Sequence, residues 1–243
     1  MRVKAVVEYE GSEYSGWQIQ PNAPSIQEEL ERALEIATRS KIRVAGAGRT
    51  DAGVHAEAQV AAFDVADDVD LYRLRASLNG ITGASISVVS LEPARADFDP
   101  RRDAVARTYR YTIVHGRPRS PLLESRAWHV PSSLDVAVLQ ELASTVVGRH
   151  DFRAFRASDC GAETTVRRVR RSVWRPADGV LEYEICAEAF LKHMVRVLVG
   201  TMVETALGKR AVSDFPRLFE GAARNEAGRT APAKGLVLVR VEY

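Results

Sequence analysis

The chain has 243 residues, 46% of them apolar and 27% charged, which is enough to bury a core without staples and ordinary for a globular protein. The formal charge is only +2, so the chain as a whole is neither a polyanion nor a polycation. Its two cysteines, Cys160 and Cys186, form no Cys-x-x-Cys pair; this excludes a structural zinc site and a disulfide framework and fits a reducing compartment.

Arg2 to Tyr9 alternates and is rich in Val, which predicts a strand. Glu10 to Pro24, with Gly11, Gly16, Pro21 and Pro24, predicts a loop. Ser25 with Glu28 has the form of a capping box, and Ile26, Leu30, Ala33, Leu34 and Ala37 make one apolar helix face. Strands are expected at Ile42 to Ala47, Ala58 to Val65 and Ala84 to Leu91, with a helix at Leu71 to Leu78. The pattern β-α-β-β-α-β is then repeated. A strand is expected at Ala104 to Val114, and a helix capped by Ser133 runs to Val147. Val166 to Trp174 and Val180 to Ala187 read as a hairpin around Ala177-Asp178-Gly179. A helix at Leu191 to Leu207, a short one at Asp214 to Ala222 and a strand at Leu236 to Val241 complete it.

The expected class is α+β. Two ferredoxin/RRM-like halves, 1–98 and 99–243, would join in a continuous, mostly antiparallel sheet with helices on one face and a central RNA-binding cleft. The chain starts without an apolar signal region, and its longest apolar run, Phe190 to Leu207, is broken by Lys192, His193, Arg196 and Glu204. No secretion and no membrane span are expected, and the cytoplasm is the expected location.

Charge is unevenly spread. Residues 101–175 hold 15 arginines, no lysine and 7 acids, whereas residues 1–100 hold 10 basic and 16 acidic side chains. The middle block is either a solvated face or an electrostatic footprint for nucleic acid, and arginine suits phosphate through its bidentate fork.

The segment Gly46-Ala47-Gly48-Arg49-Thr50-Asp51-Ala52-Gly53-Val54-His55-Ala56 is too long for a tight hairpin, and it packs Arg49, Asp51 and His55 into seven positions. Two readings are open: a turn in which Asp51 caps backbone N–H groups and pairs with Arg49, or a loop that carries chemistry on a rigid scaffold. Neither a phosphate-binding P-loop nor a dinucleotide fingerprint is present.

This segment resembles the signature of the tRNA pseudouridine synthase A family. Tyr9-Glu10-Gly11 through Tyr14-Ser15-Gly16-Trp17-Gln18-Ile19-Gln20 is similar to that family's N-terminal pattern. Leu78-Asn79, Arg107-Thr108-Tyr109-Arg110-Tyr111, Gly148-Arg149-His150-Asp151-Phe152, Phe190 to Arg196 with Gly200, and Gly235-Leu236-Val237-Leu238 follow in the family's order. Two sites depart from it. Asp99 and Arg102 stand where the family usually has histidine and phenylalanine, and Ile81-Thr82-Gly83 replaces a common Leu-Pro.

The resemblance implies isomerisation of uridine to pseudouridine at positions 38, 39 and 40 in the anticodon stem-loop of tRNA. Asp51 corresponds to the catalytic aspartate. Tyr109 corresponds to a tyrosine against the uracil, Arg49 to an arginine beside the aspartate, Arg167 to a further active-site arginine and Leu236 to a leucine near the base. By the same analogy Trp17 and Gln18 lie over the RNA, and Arg101 and Arg107 belong to the phosphate-contacting block. No metal, no cofactor and a homodimer that binds tRNA are implied. His55 is not demanded by the chemistry, and structural roles are expected for His150 and Asp151.

Overall fold

A computed structural model describes residues 1–177 and 179–243. The chain divides into two compact units, residues 1–105 with 237–243, and residues 106–236. Asp178, in the expected hairpin turn, lies outside the described residues. No helix among them is long and apolar enough to cross a membrane.

The first unit runs β1 (Arg2–Tyr9), α1 (Ile26–Thr38), β2 (Ala45–Gly46), β3 (His55–Asp64), α2 (Leu71–Ile81) and β4 (Ile86–Pro93), in the expected order β-α-β-β-α-β. β1 pairs antiparallel with both β3 and β4, and β2 pairs antiparallel with β3. Val3, Ala5, Val7 and Tyr9 of β1 are buried while Arg2, Lys4, Val6 and Glu8 are not, the period-2 signature of a half-buried strand. α1 contributes Ile26, Leu30, Ala33 and Leu34 to the core; cutting Leu34 back to alanine would cost about 2–5 kcal/mol. The Ser25 hydroxyl accepts from the Glu28 N–H at 3.3 Å and caps α1 as expected. A second apolar cluster, of Ala47, Val60, Ala62 and Phe98, lies on the other face of β3 from Ala61 and Phe63.

The strand expected at Ile42 to Ala47 shrinks to two residues. Its Val44 carbonyl accepts from Gln27 Nε2 at 3.1 Å and its N–H donates to Glu31 Oε1 at 3.0 Å. Side chains of α1 thus take the groups a ladder would need. α2 runs three residues past Leu78, and Asn79 explains the Leu-Asn pair: its amide grips both the N–H (2.7 Å) and the carbonyl (3.0 Å) of Val88.

The second unit contains β5 (Ala106–His115), β6 (Trp128–Val130), α3 (Val136–Val146), β7 (Gly148–Asp151), β8 (Val166–Ala177), β9 (Val180–Ala187) and α4 (Met194–Ala206). β5, β9, β8 and β7 pair antiparallel in that order, and β6 pairs parallel with β5. α3 is capped by Asp135, which accepts from Ala137 N and Val138 N, instead of by Ser133. α4 starts after His193, whose φ of 65° stops the helix from reaching back to Leu191. The helix expected at Asp214 to Ala222 is a pair of tighter 3-10 turns, in which Phe215 and Phe219 stack with Phe155 and Phe219 with Phe152.

Tyr111, Tyr183 and Trp174 are opposite one another across β5, β9 and β8 and are fully buried. The helices cover this face: Gln140 of α3 bonds the Trp174 carbonyl, and the Trp174 indole N–H meets Met202 Sδ of α4 at 3.4 Å. The opposite face carries charge, with Arg171 to Glu184 at 3.0 Å and Arg110 to Glu182 at 3.5 Å. Tyr111, Tyr183 and Trp174 therefore lie on the helix-covered face and not on the charged one. The last strand, β10 (Leu236–Glu242), pairs parallel with β3 through Val237 and Leu238, and residues 237–243 belong to the first unit.

Candidate active site

In the first unit the loop between β2 and β3 is held from outside itself. The Thr50 carbonyl accepts from Trp17 N at 3.1 Å, and Gly53 N donates to the Tyr14 carbonyl at 3.2 Å. The Thr50 and Tyr9 hydroxyls bond at 2.8 Å. Burial pushes the Tyr9 phenol far above its ordinary pKa, so it keeps its proton. The loop closes on itself where Val54 N donates to the Asp51 carbonyl at 3.1 Å.

The glycines of the N-terminal loop are explained by this clamp. A side chain on Gly11 would place Cβ 2.0 Å from the Val54 carbonyl oxygen. Gly16 has φ +92°, and its Cβ would lie 2.4 Å from the Thr50 carbonyl oxygen, so it needs glycine on both counts. Two motifs well separated in sequence are thus one bonded structure. Arg49 projects from it exposed, and Asp51 is half-buried.

Trp17 is 2% exposed. Its ring lies where a Cβ on Gly46 would be, 2.5 Å away, and its centroid is 6.2 Å from that of Tyr9. It therefore braces the loop from within and leaves almost no surface for an RNA, whereas Gln18 beside it is half-exposed. His55 is buried, and its Nδ1 lies 3.0 Å from the Gly11 N–H and 3.3 Å from Glu10 Oε1.

The second unit holds Tyr109, Arg167 and Leu236. Tyr109 is 9% exposed and its ring is met edge-on by Phe190, with centroids 5.1 Å apart and planes at 86°. Arg167 donates through Nη1 to the carbonyls of Thr164 (2.9 Å) and Val166 (2.7 Å). Its Nε is buried and has no hydrogen-bond partner among the described residues. Desolvation lowers the guanidinium's pKa, from a start so high that the charge remains. Leu236 follows Gly235, whose Cβ would fall 2.6 Å from the Tyr111 ring, and the Tyr111 hydroxyl donates to the Pro232 carbonyl at 2.7 Å. The segment entering Leu236 is thereby laid on Tyr111. Arg107 is half-exposed and donates to the Glu188 carbonyl at 2.8 Å.

Arg101 is exposed in the first unit, on the turn that carries Asp99 and Arg102, two residues that depart from the family pattern. These explain each other. Asp99 Oδ2 meets Arg102 Nε at 2.9 Å, so one ion pair occupies the two positions. His150 and Asp151 form no dyad: the imidazole Nε2 bonds the Val147 carbonyl at 3.0 Å, and the Asp151 carboxylate accepts from Arg153 N at 2.9 Å. Sequence reasoning passed over Gln59. It is fully buried in β3 and donates to the Gly48 carbonyl at 2.9 Å. Its only signal is a polar residue in an otherwise apolar run, Val60-Ala61-Ala62-Phe63.

A family model described as tRNA pseudouridine synthase matches residues 5–101 and 142–243. The chain belongs to this family. It is 44% identical to a tRNA pseudouridine synthase A of Myxococcus xanthus, over 100% of the chain and 92% of the relative. It is 41% identical to one from Geobacter sp. strain M21, over 99% of the chain and 98% of the relative. Another, from Acetivibrio thermocellus, is 40% identical, with 99% of each covered. The protein is accordingly an isomerase that acts on tRNA, converting uridine to pseudouridine.

Proposed function

We propose that the chain modifies positions 38, 39 and 40 in the anticodon stem-loop of tRNA, with Asp51 as the catalytic carboxylate. The observation that carries this reading is the clamp on the loop: Trp17, Tyr14 and Tyr9 fix the main chain on both sides of Asp51. A catalytic group needs such preorganisation, because a small misplacement costs orders of magnitude in rate.

In the reaction the N1–C1′ bond of uridine breaks and a C5–C1′ bond forms. C5 gives up its proton and N1 ends with one, so the product is an isomer and the balance requires no oxidant or reductant. The target base first leaves its stack, at a cost of a few kcal/mol. Tyr109 offsets that cost by stacking on the uracil. Asp51 acts at the sugar, as nucleophile at C1′ or as base. Arg49 orients it, or holds the place of the flipped base. The buried, unspent Nε–H of Arg167 suits an acceptor on the substrate, since a buried donor without a partner is costly. Leu236 packs near the base. Arg101, Arg107 and Gln18 meet the RNA backbone, while Trp17 serves the RNA-facing loop from below.

The working form is a homodimer in the cytoplasm, needing neither metal nor cofactor. The antiparallel order β4-β1-β3-β2 in the first unit supports a ferredoxin/RRM-like half carrying the catalytic loop, near 1–98. The remainder to 243 is read as the second such half.

A tRNA transcript tritiated at uridine C5 tests this. Wild type is expected to release tritium into water with no cofactor added, with the modified sites mapping to 38–40. Asp51→Ala is expected to release none while binding tRNA normally, because phosphate contacts dominate affinity. Release by Asp51→Ala, or modification elsewhere in the tRNA, would overturn the respective part.

A further inference from the structure

Gln59 is fully buried in β3, opposite Val7 of β1. Its Nε2 donates to the Gly48 carbonyl at 2.9 Å, and its Oε1 is buried with no hydrogen-bond partner among the described residues. A buried carbonyl left unpaired costs about 1–3 kcal/mol. A leucine of similar size avoids that cost and gives up one bond to a part-buried carbonyl, worth about 0.5–1.5 kcal/mol, so stability alone is a weak reason for an amide here. What the amide adds is a hold on Gly48. Two residues further on, Thr50 is held through its hydroxyl by Tyr9 and through its carbonyl by Trp17 N. The main chain is therefore fixed on either side of Arg49 and immediately before Asp51.

We propose that Gln59 is a positioning residue for the isomerisation: its amide, working with the Tyr9 hydroxyl, sets the placement of Arg49-Thr50-Asp51 relative to the substrate without touching it. The inference rests on Asp51 being the catalytic carboxylate. A residue of this kind acts on the rate of the bound complex and not on tRNA affinity, because phosphate contacts elsewhere supply the binding.

The test is single-turnover and steady-state tritium release by Gln59→Leu, Gln59→Glu, Tyr9→Phe and the Gln59→Leu/Tyr9→Phe double variant, with Asp51→Asn as control. Gln59→Leu is expected to melt within a few degrees of wild type, to lose about 10- to 100-fold in kcat, and to keep KM for tRNA within about threefold. The double variant is expected to lose less than the product of the two single losses, because both act through one loop. Gln59→Glu keeps the size but donates to Gly48 only when protonated. Burial raises its pKa, so its kcat relative to wild type is expected to rise as the pH falls.

Wild-type kcat in Gln59→Leu beside an inactive Asp51→Asn would overturn the proposal. So would a loss that appears in KM alone. Activity in Asp51→Asn would instead overturn the catalytic reading on which the proposal stands. If Gln59→Leu does not fold, Gln59→Glu decides: a depressed kcat with no pH dependence relative to wild type rejects the role.

Discussion

Two turns of the first unit both carry Arg and Asp and differ in what their aspartates are used for. In the turn from Arg95 to Asp103 the carboxylates bond the turn itself, while Arg2 and Tyr243 hold the Phe98 and Pro100 carbonyls from outside. Asp99 Oδ1 accepts from the N–H groups of Arg101 and Arg102, each at 2.9 Å, and Oδ2 meets the Arg102 guanidinium. Asp103 Oδ2 meets Arg95 Nη2 at 2.6 Å and the Asp99 N–H at 3.0 Å. The loop from Gly48 to Val54 is held by Tyr9, Tyr14, Trp17 and Gln59, through main-chain groups and the Thr50 hydroxyl. An Asp that must form its own turn is committed to structure. Asp51 sits in a turn whose main chain a second loop secures, which suits the catalytic role proposed for it.

The largest effect expected from this contrast is at the two aspartates themselves. Asp51→Asn is expected to cost at least about a thousandfold in kcat with little change in melting temperature. Asp99→Asn is expected to keep kcat within about twofold and to lose stability instead, by about 0.5–1 kcal/mol once solvent screening is allowed for. Tritium release and thermal melts on the same preparations separate the two. Equal losses of kcat at both positions would erase the distinction.

The next effect comes from disturbing the outside hold without touching Asp51. Gly16→Ala forces a Cβ against the Thr50 carbonyl at a left-handed φ. A loss of about 100-fold in kcat is expected, together with a lower melting temperature and tRNA binding near wild type in a filter assay. A Gly16→Ala protein with wild-type kcat would show that the clamp is not what places the loop.

The sequence made the first unit legible because its signals are local. Val3, Ala5 and Val7 alternate, Ser25 caps α1, and Asp51 sits in a loop dense with glycine. It was less legible where long-range partners decide. Ile42 to Val44 has strand composition, yet Gln27 and Glu31 of α1 take the backbone groups of Val44. β6 and β7 are three and four residues long, too short to show a period. The proposed site residues stood out through the family resemblance, but the means of holding them did not. Gln59 and Thr50 matter through hydrogen bonds that spacing does not reveal, and Trp17, which composition places on a surface loop, is buried by Gly46 leaving room for its ring.

A smaller effect is expected from pH. The Asp99 carboxyl is held below its ordinary pKa, first by the Arg102 backbone N–H and then by the Arg102 guanidinium and the Arg101 N–H. A depressed carboxylate pKa gives stability that is present above the unfolded value, about 3.9, and is lost as pH falls through the folded value. The melting difference between wild type and Asp99→Asn should therefore be constant from about pH 5 to 7 and close toward pH 3 and below. A difference that widens on acidification would contradict the sign.

The smallest effect isolates the exchange of two residues at the departing positions. Asp99 and Arg102 face solvent on one turn, and their side chains meet in a single ion pair. Asp99→Asn leaves the Asx-type acceptor in place and removes the charge, while Arg102→Gln removes the partner and keeps the backbone N–H. A double-mutant cycle of these two changes is expected to give a coupling of about 0.5 kcal/mol in stability and none in kcat. The coupling should fall as salt is raised from about 0.05 to 0.5 M, because the pair is exposed. A coupling in kcat would place this turn in the reaction. None in either quantity would mean that the turn is kept by the Asp99 oxygen on the backbone N–H groups alone, and that the arginine at 102 is available to the RNA phosphates.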